Sequence, residues 1–305
     1  MANFRNRSTC VRVHYFLCKT LIHVICGETQ SVRGAPPLTE CKIPKTRRGP
    51  LNPEFVRTTL TVDMEVDPPK KQEDPQIKDK DLFKAAETGD SSTFKSFSQD
   101  QLSKFLKLRN EDGRSLLHVA ASSAHPEVVK ILSAAADESV LNSSDEEGWA
   151  PIHSAASIGN SEIMEILLSK GANVNLKNDG GRTALHYAAS KGRLKIAELL
   201  ISHGAKINSK DKVGCTPLHR AASTGNSALC EFLIEEGADV DAEDRAGQTP
   251  LMNAVICQNK EVALLLIRHG ADVDVEDKEG YTVFGRASDD FRPKLVDAAR
   301  AMLEG

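Results

Sequence analysis

Four histidines, His118, His153, His186 and His219, fall at intervals of 35, 33 and 33 residues. Imidazole is the side chain best suited to metal ligation and to proton transfer near neutral pH. A regular row of imidazoles therefore raises two possibilities, a metal site or an acid–base relay. The spacing argues against both. Residues that recur once per 33-residue unit stand roughly 10 Å apart along a helical stack, about one helix-packing distance. Ligands sharing a zinc ion lie about 2.1 Å from it. The expected role of each ring is a hydrogen bond to the neighbouring turn.

The other reactive side chains are no more suggestive. Cys10, Cys18, Cys26 and Cys41 match no Cys-x2-Cys zinc spacing. Cys215, Cys230 and Cys257 are scattered through the repeats, which fits reduced, buried thiols in a cytoplasmic or nuclear protein. The chain has no GxSxG elbow and no GxxxxGK[ST] phosphate loop. Carboxylate pairs such as Glu146–Glu147 and Glu235–Glu236 sit where loops and helix ends are expected, as solvated charge. The expectation is a protein that is not an enzyme, with no catalytic residues, no metal and no cofactor.

What would position these residues is a repeated unit. Gly113, Gly148, Gly181, Gly214, Gly247 and Gly280 recur at steps of 35, 33, 33, 33 and 33 residues, and Gly171, Gly204, Gly237 and Gly270 form a second 33-residue series. Thr183, Thr216 and Thr249 stand where an N-cap oxygen can accept orphan helix N–H groups. Pro217 and Pro250 follow at the first helical position, where a missing N–H costs nothing. Paired alanines keep a short first helix thin, and Gly192 and Gly225 end it. A second helix carries Ile196, Leu199, Leu200 and His203 at helical spacing, with His203 and His269 at helix ends that favour positive charge. A loop then runs out to Asn178, Asp211, Asp244 or Asp277. One such pair cannot bury its own apolar face and must stack on its neighbours.

The expected architecture is an all-α repeat solenoid of seven units over residues 79–305, starting near 79, 112, 147, 180, 213, 246 and 279, with β-hairpin fingers lining a concave surface. The first and last units depart from the pattern, with Phe83 and Gly285 at the histidine place, and read as caps.

The 305-residue chain has a formal net charge of -4, but residues 1–63 carry +6 and the remainder -10. No basic stripe interleaved with aromatics suggests nucleic acid. VRVHYFLCKTLIHVIC is 16 residues long and contains Arg12, His14, Lys19 and His23, whereas a spanning helix needs about 20 nearly uncharged apolar residues. A transit peptide is conceivable there. Met64 is the expected working start, which makes residues 1–63 a disordered leader or gene-model extension and residues 64–78 an acidic disordered tail.

Function then falls to positions that the stack does not need. The second tip position of successive fingers runs Glu111, Glu146, Asp179, Lys212, Arg245, Lys278, changing sign halfway. Stacking does not ask for that order, but a long partner of complementary charge would. Glu111, Asp112, Arg114, Glu146, Glu147, Trp149, Arg182, Lys191, Lys212, Arg245, Lys278 and Tyr281 are the candidate partner-binding residues. Trp149, the single tryptophan, suits either an interface anchor or packing on the adjacent finger.

The period together with TPLHRAASTGN and LLISHGAKIN resembles the ankyrin repeat. Three further strings, DEEGWAPIH, LHYAASK and the terminal MLEG, resemble the gankyrin-like family of proteasome non-ATPase regulatory subunit 10. That resemblance implies an assembly chaperone of the proteasome regulatory particle, acting as a monomer that binds the C-terminal domain of a base ATPase. Asp112, Arg114, Glu146 and Lys191 match that family's contact surface. In the sixth unit, where the mammalian member has LxCxE, this chain reads MNAVICQ. The alternative is a general ankyrin adaptor in signalling or transcription.

Overall fold

The computed structural model describes residues 78–304. The leader expected at 1–63, and all of the tail expected at 64–78 except Lys78, lie outside the described residues. The chain folds into α1 (Asp79–Thr88), α2 (Ser91–Lys95), α3 (Gln99–Phe105), α4 (Leu116–Ser122), α5 (Pro126–Ala135) and α6 (Glu138–Leu141). Then follow α7 (Pro151–Ile158), α8 (Ser161–Ser169), α9 (Ala184–Ser190), α10 (Leu194–Ser202) and α11 (Pro217–Thr224). The last are α12 (Ser227–Glu235), α13 (Pro250–Ile256), α14 (Lys260–Arg268), α15 (Val283–Arg286) and α16 (Arg292–Glu304).

The helices stack in two rows. One row runs α1, α4, α7, α9, α11, α13, α15, and the other runs from α2 and α3 through α5, α8, α10, α12 and α14 to α16. Paired alanines such as Ala155–Ala156, Ala188–Ala189 and Ala221–Ala222 are completely buried in the first row. Their small side chains allow close helix approach. In the second row the buried stripe of α10 is Ile196, Ala197 and Leu200. Leu199 is only half-buried and His203 is exposed at the C-cap, so the stripe is narrower than its spacing suggests. Truncating a fully buried leucine such as Leu200 costs about 2–5 kcal/mol, because the packed row leaves a cavity behind.

The helix starts carry a correction. At Thr183 and Thr216 the hydroxyl does not cap the helix. The threonine N–H instead donates to Nδ1 of His186 and His219, each at 3.1 Å, and the hydroxyl lies 2.9 and 2.8 Å from the same nitrogens. At Thr249, where Met252 occupies the histidine place, the hydroxyl accepts the helix N–H at 3.3 Å. At Ser115 the hydroxyl accepts the His118 N–H at 3.4 Å, while His118 Nδ1 accepts the Ser115 N–H at 3.2 Å. The imidazole thus accepts the N–H of the cap residue itself, whereas a capping hydroxyl accepts the N–H three residues on.

The fingers are the second correction. No strand occurs among the described residues. Each finger is a tight five-residue turn closed by two backbone bonds. In one, Asp145 N–H donates to Trp149 O at 2.8 Å and Gly148 N–H to Asp145 O at 3.1 Å. One cross-chain bond, followed at once by a helix start, leaves no length for a β-ladder. Gly148 shows why the first glycine series exists. Its φ is 75°, and a Cβ there would sit 2.5 Å from the backbone nitrogen of Asp179 in the next finger.

At the C-terminal end, α16 packs on α14 with Phe291 and Leu295 fully buried. Lys294, Asp297 and Arg300 stay exposed, together with Val296 and Met302, so the outer side of the terminal layer is mixed. No helix among the described residues is long and apolar enough to cross a membrane.

Candidate functional site

Each finger begins with an Asn or Asp whose Oδ1 accepts the N–H groups of the turn. Asn110 accepts from Asp112 and Arg114, Asp145 from Glu147 and Trp149, and Asp211 from Val213 and Cys215, at 2.8–3.1 Å. Short polar side chains are suited to closing turns in this way. Consecutive fingers are then tied together. The N–H of the second tip residue donates to the carbonyl of the third tip residue before it, as from Glu146 to Asp112 at 3.3 Å and from Lys212 to Gly180 at 2.9 Å.

The histidine row makes another set of cross-links. Nε2 of His118, His153, His186 and His219 lies 2.9, 2.9, 3.1 and 3.0 Å from the carbonyls of Trp149, Leu176, Cys215 and Gln248. With Nδ1 accepting an N–H, the ring must carry its proton on Nε2 and donate it to the carbonyl. Burial lowers the pKa of all four, to about 4 for His118 and for His186. Both ring nitrogens are therefore committed to the fold. Burial likewise pushes the thiols of Cys215 and Cys230 up, to about 11 and about 12, which keeps them protonated and unreactive.

The sequence candidates divide into two groups. Asp112, Arg114, Glu146, Glu147 and Trp149 meet around one open recess of about 370 Å³ between the first two fingers, α4 and α7. Asp112, Glu146 and Glu147 are exposed, and among the described residues no ion pair engages them. Arg114 is half-buried and donates from Nη2 to Ser122 Oγ at 2.6 Å and to His118 O at 3.2 Å. Trp149 is half-buried, with its ring 4.3 Å from that of Tyr187, so it both packs on the next unit and lines the recess.

The others lie elsewhere. Glu111 is exposed on the first tip, beside the recess, and Lys191 is exposed at the C-cap of α9. Lys212, Arg245 and Lys278 are exposed on the later tips. Arg182 reaches Asp211 at 3.5 Å. Tyr281 lies under the Arg286 guanidinium, which is 4.5 Å from the ring centre.

Sequence reasoning missed the residue nine places after each finger's first. Arg220 pairs there with Asp211 and Arg286 with Asp277, while Tyr187 hydroxyl accepts from Asn178 at 2.8 Å. Burial alone would raise the Asp211 pKa, but the Arg220 hydrogen bond and charge outweigh it and hold the carboxyl below the usual range. The same register places Ser154 at the wall of the recess. The 33-residue alignment carries this position, and reading its column Val119, Ser154, Tyr187, Arg220, Asn253, Arg286 would have exposed it.

The family model for ankyrin repeats (three copies) matches residues 82–178, 136–211 and 207–277, together well over half of the chain. No curated protein matches it.

Proposed function

The chain belongs to the ankyrin repeat family, an architecture of protein-interaction scaffolds, and from that premise we propose that its fingers bind the C-terminal domain of a proteasome base ATPase. In this reading the protein is a non-catalytic assembly chaperone of the regulatory particle, engaged as a single chain and acting in cytoplasm and nucleus. The array is read as seven units, because seven first-row helices from α1 to α15 stack in register. Support for the particular partner comes from the strings DEEGWAPIH, LHYAASK and MLEG and from Asp112, Arg114, Glu146 and Lys191.

The observation that carries the binding surface is the recess itself. Three exposed carboxylates, Asp112, Glu146 and Glu147, surround a half-buried tryptophan, and among the described residues no ion pair engages them. Such a surface suits a basic stretch of partner seated against an aromatic anchor. Basic tips at Lys212, Arg245 and Lys278 would meet acidic residues farther along the same partner.

The test is a titration of the ATPase C-terminal domain with wild type and with the triple variant Glu111→Lys, Asp112→Lys, Glu146→Lys at two salt concentrations. Each exposed pair contributes about 0.2–1 kcal/mol, so the variant should lose about 1–3 kcal/mol, mainly through slower association at low salt. Equal affinities at low salt would remove the charged tips from the mechanism. If wild type does not bind, the general ankyrin adaptor in signalling or transcription becomes the reading.

A further inference from the structure

The finger row has a symmetry that binding an unrelated partner does not require. Inter-finger bonds at 2.9–3.3 Å link Asp112 to Glu146, Glu147 to Asp179, Gly180 to Lys212, Val213 to Arg245 and Ala246 to Lys278. They fix the order and spacing of the six tips, so the tip charges form a rigid pattern. Glu111, Glu146, Asp179, Lys212, Arg245 and Lys278 are all exposed. Read from the opposite end, that series has every sign inverted. A surface whose charge inverts on reversal is complementary to itself across a two-fold axis, the geometry of an isologous dimer.

We propose that the free protein pairs with a second copy of itself, antiparallel, through the finger tips. The axis lies between the fingers of Asp179 and Lys212. Glu111 then faces Lys278 of the second copy, Glu146 faces Arg245 and Asp179 faces Lys212. The third tip positions agree at the centre. Val213 is 52% exposed, an apolar knob, and it meets Gly180, which has no side chain to obstruct it. At the second and third tip positions the one like-signed juxtaposition is Asp112 with Glu279, and Arg286, which lies 2.9 Å from Glu279 while also binding Asp277, moderates it. This departs from the monomer expected of the sequence. The dimer rests on exposed pairs, so it is weak and salt-sensitive, and it masks the tips that a partner would use. The inference shares with the proposed function the premise that the tips form an interaction surface, but it does not depend on the partner's identity.

Sedimentation of the full chain at low and high salt tests it. A dimer should form at low salt and dissociate as salt rises. Glu146→Lys and Arg245→Glu, made singly, each convert two symmetry-related attractions into repulsions. Each should raise the dimer dissociation constant about tenfold. The double variant Glu146→Lys/Arg245→Glu should recover the dimer, because the axis brings those two positions together. Circular dichroism should show all three variants folded, since both side chains are exposed. A chain that stays monomeric at low salt and high concentration overturns the inference, as does a double variant no better than the singles. The swap also separates the two readings, because it should restore self-pairing while still impairing a natural partner. Loss of the dimer with partner binding intact would sink only this inference.

Discussion

The early fingers, Asn110–Arg114 and Asp145–Trp149, and the late ones, Asp211–Cys215 and Asp277–Tyr281, share the same pair of closing backbone bonds. Their first residues also use Oδ1 in the same way, on the N–H groups two and four positions ahead. They differ in what meets the outer side of that residue. In the late fingers Arg220 and Arg286 bind Oδ2 of Asp211 and Asp277, and those side chains are almost fully covered. In the early part the corresponding first-helix residues are Val119 and Ser154, and the surrounding acids remain exposed beside the recess. The turn needs only one oxygen. Where the first residue is an aspartate its second oxygen is free, and it is engaged by an arginine at Asp211 and Asp277 but, among the described residues, by none at Asp145.

Acid should separate the two regions most strongly. His118, His153, His186 and His219 lie between α4 and α11, whereas Met252 and Gly285 stand at that place farther on. In the unfolded chain a histidine protonates below about 6.5, while in the folded chain His118 and His186 resist until about 4. Between those values the unfolded state binds more protons, so stability is complete above pH 6.5 and falls as pH drops toward 4. Each of the two rings should cost on the order of 3 kcal/mol across that window. The Asp211 and Asp277 pairs persist through it, since their pKa values are lowered and they are lost only at still lower pH. Hydrogen exchange at pH 5 should open residues 115–220 before 249–304. Simultaneous opening would deny the histidines this role.

A pair of substitutions tests the carboxylates directly. Asp211→Ala leaves Arg220 without its partner and the Val213 and Cys215 N–H groups without an acceptor. It should cost about 3 kcal/mol, at the lower end of what breaking a buried pair costs because Arg220 is partly exposed. Asp145→Asn keeps the Oδ1 acceptor and breaks no ion pair, and Asn110 and Asn178 already fill the same place. Its effect should stay within about 0.5 kcal/mol. Urea midpoints of the two variants give the comparison, and equal losses would mean that the late ion pairs add nothing to the turn.

Much of this was legible in the sequence because the period imposes it. A position recurring every 33 residues meets the same neighbours each time, so His118 through His219 could be assigned to the adjacent turn before any coordinates were known. What escaped are the contacts between columns. Arg220 meets Asp211 because a helix start folds back on its own finger, and no local pattern marks that approach. The inverted caps at Thr183 and Thr216 escaped for a related reason. The ring is held against the N–H of its own cap residue by its second bond, to a carbonyl one unit away, and local sequence does not show that bond. The recess was half legible. Its charged rim sits at variable tip positions, but Ser157 and Ile158 come from the end of α7 and carry no charge to single them out.

The smallest effect at neutral pH should come from extending the early pattern into the late region with Met252→His. Met252 is fully buried at the histidine place, and Thr249 already supplies the N–H that Nδ1 would accept. By the 33-residue register the ring's Nε2 would point toward the carbonyl of Tyr281, as His219 does toward that of Gln248. The exchange gives up part of methionine's apolar burial and the Thr249 hydroxyl bond to Met252 N–H at 3.3 Å. It gains two hydrogen bonds worth about 1 kcal/mol each. Gains and losses nearly cancel, so stability at pH 7 should change by less than about 1 kcal/mol. The pH profile, however, should change shape. A fifth buried neutral imidazole adds a further loss between pH 6.5 and about 4, by the sign established for the others. In hydrogen exchange at pH 5, residues 249–304 should then open nearly as early as residues 115–220. If the variant is as stable as wild type at pH 7 but the late segment keeps its acid resistance, the difference between the halves does not lie in the histidines. The Arg286 pair with Asp277, the one of the two that lies in residues 249–304, would then have to carry it.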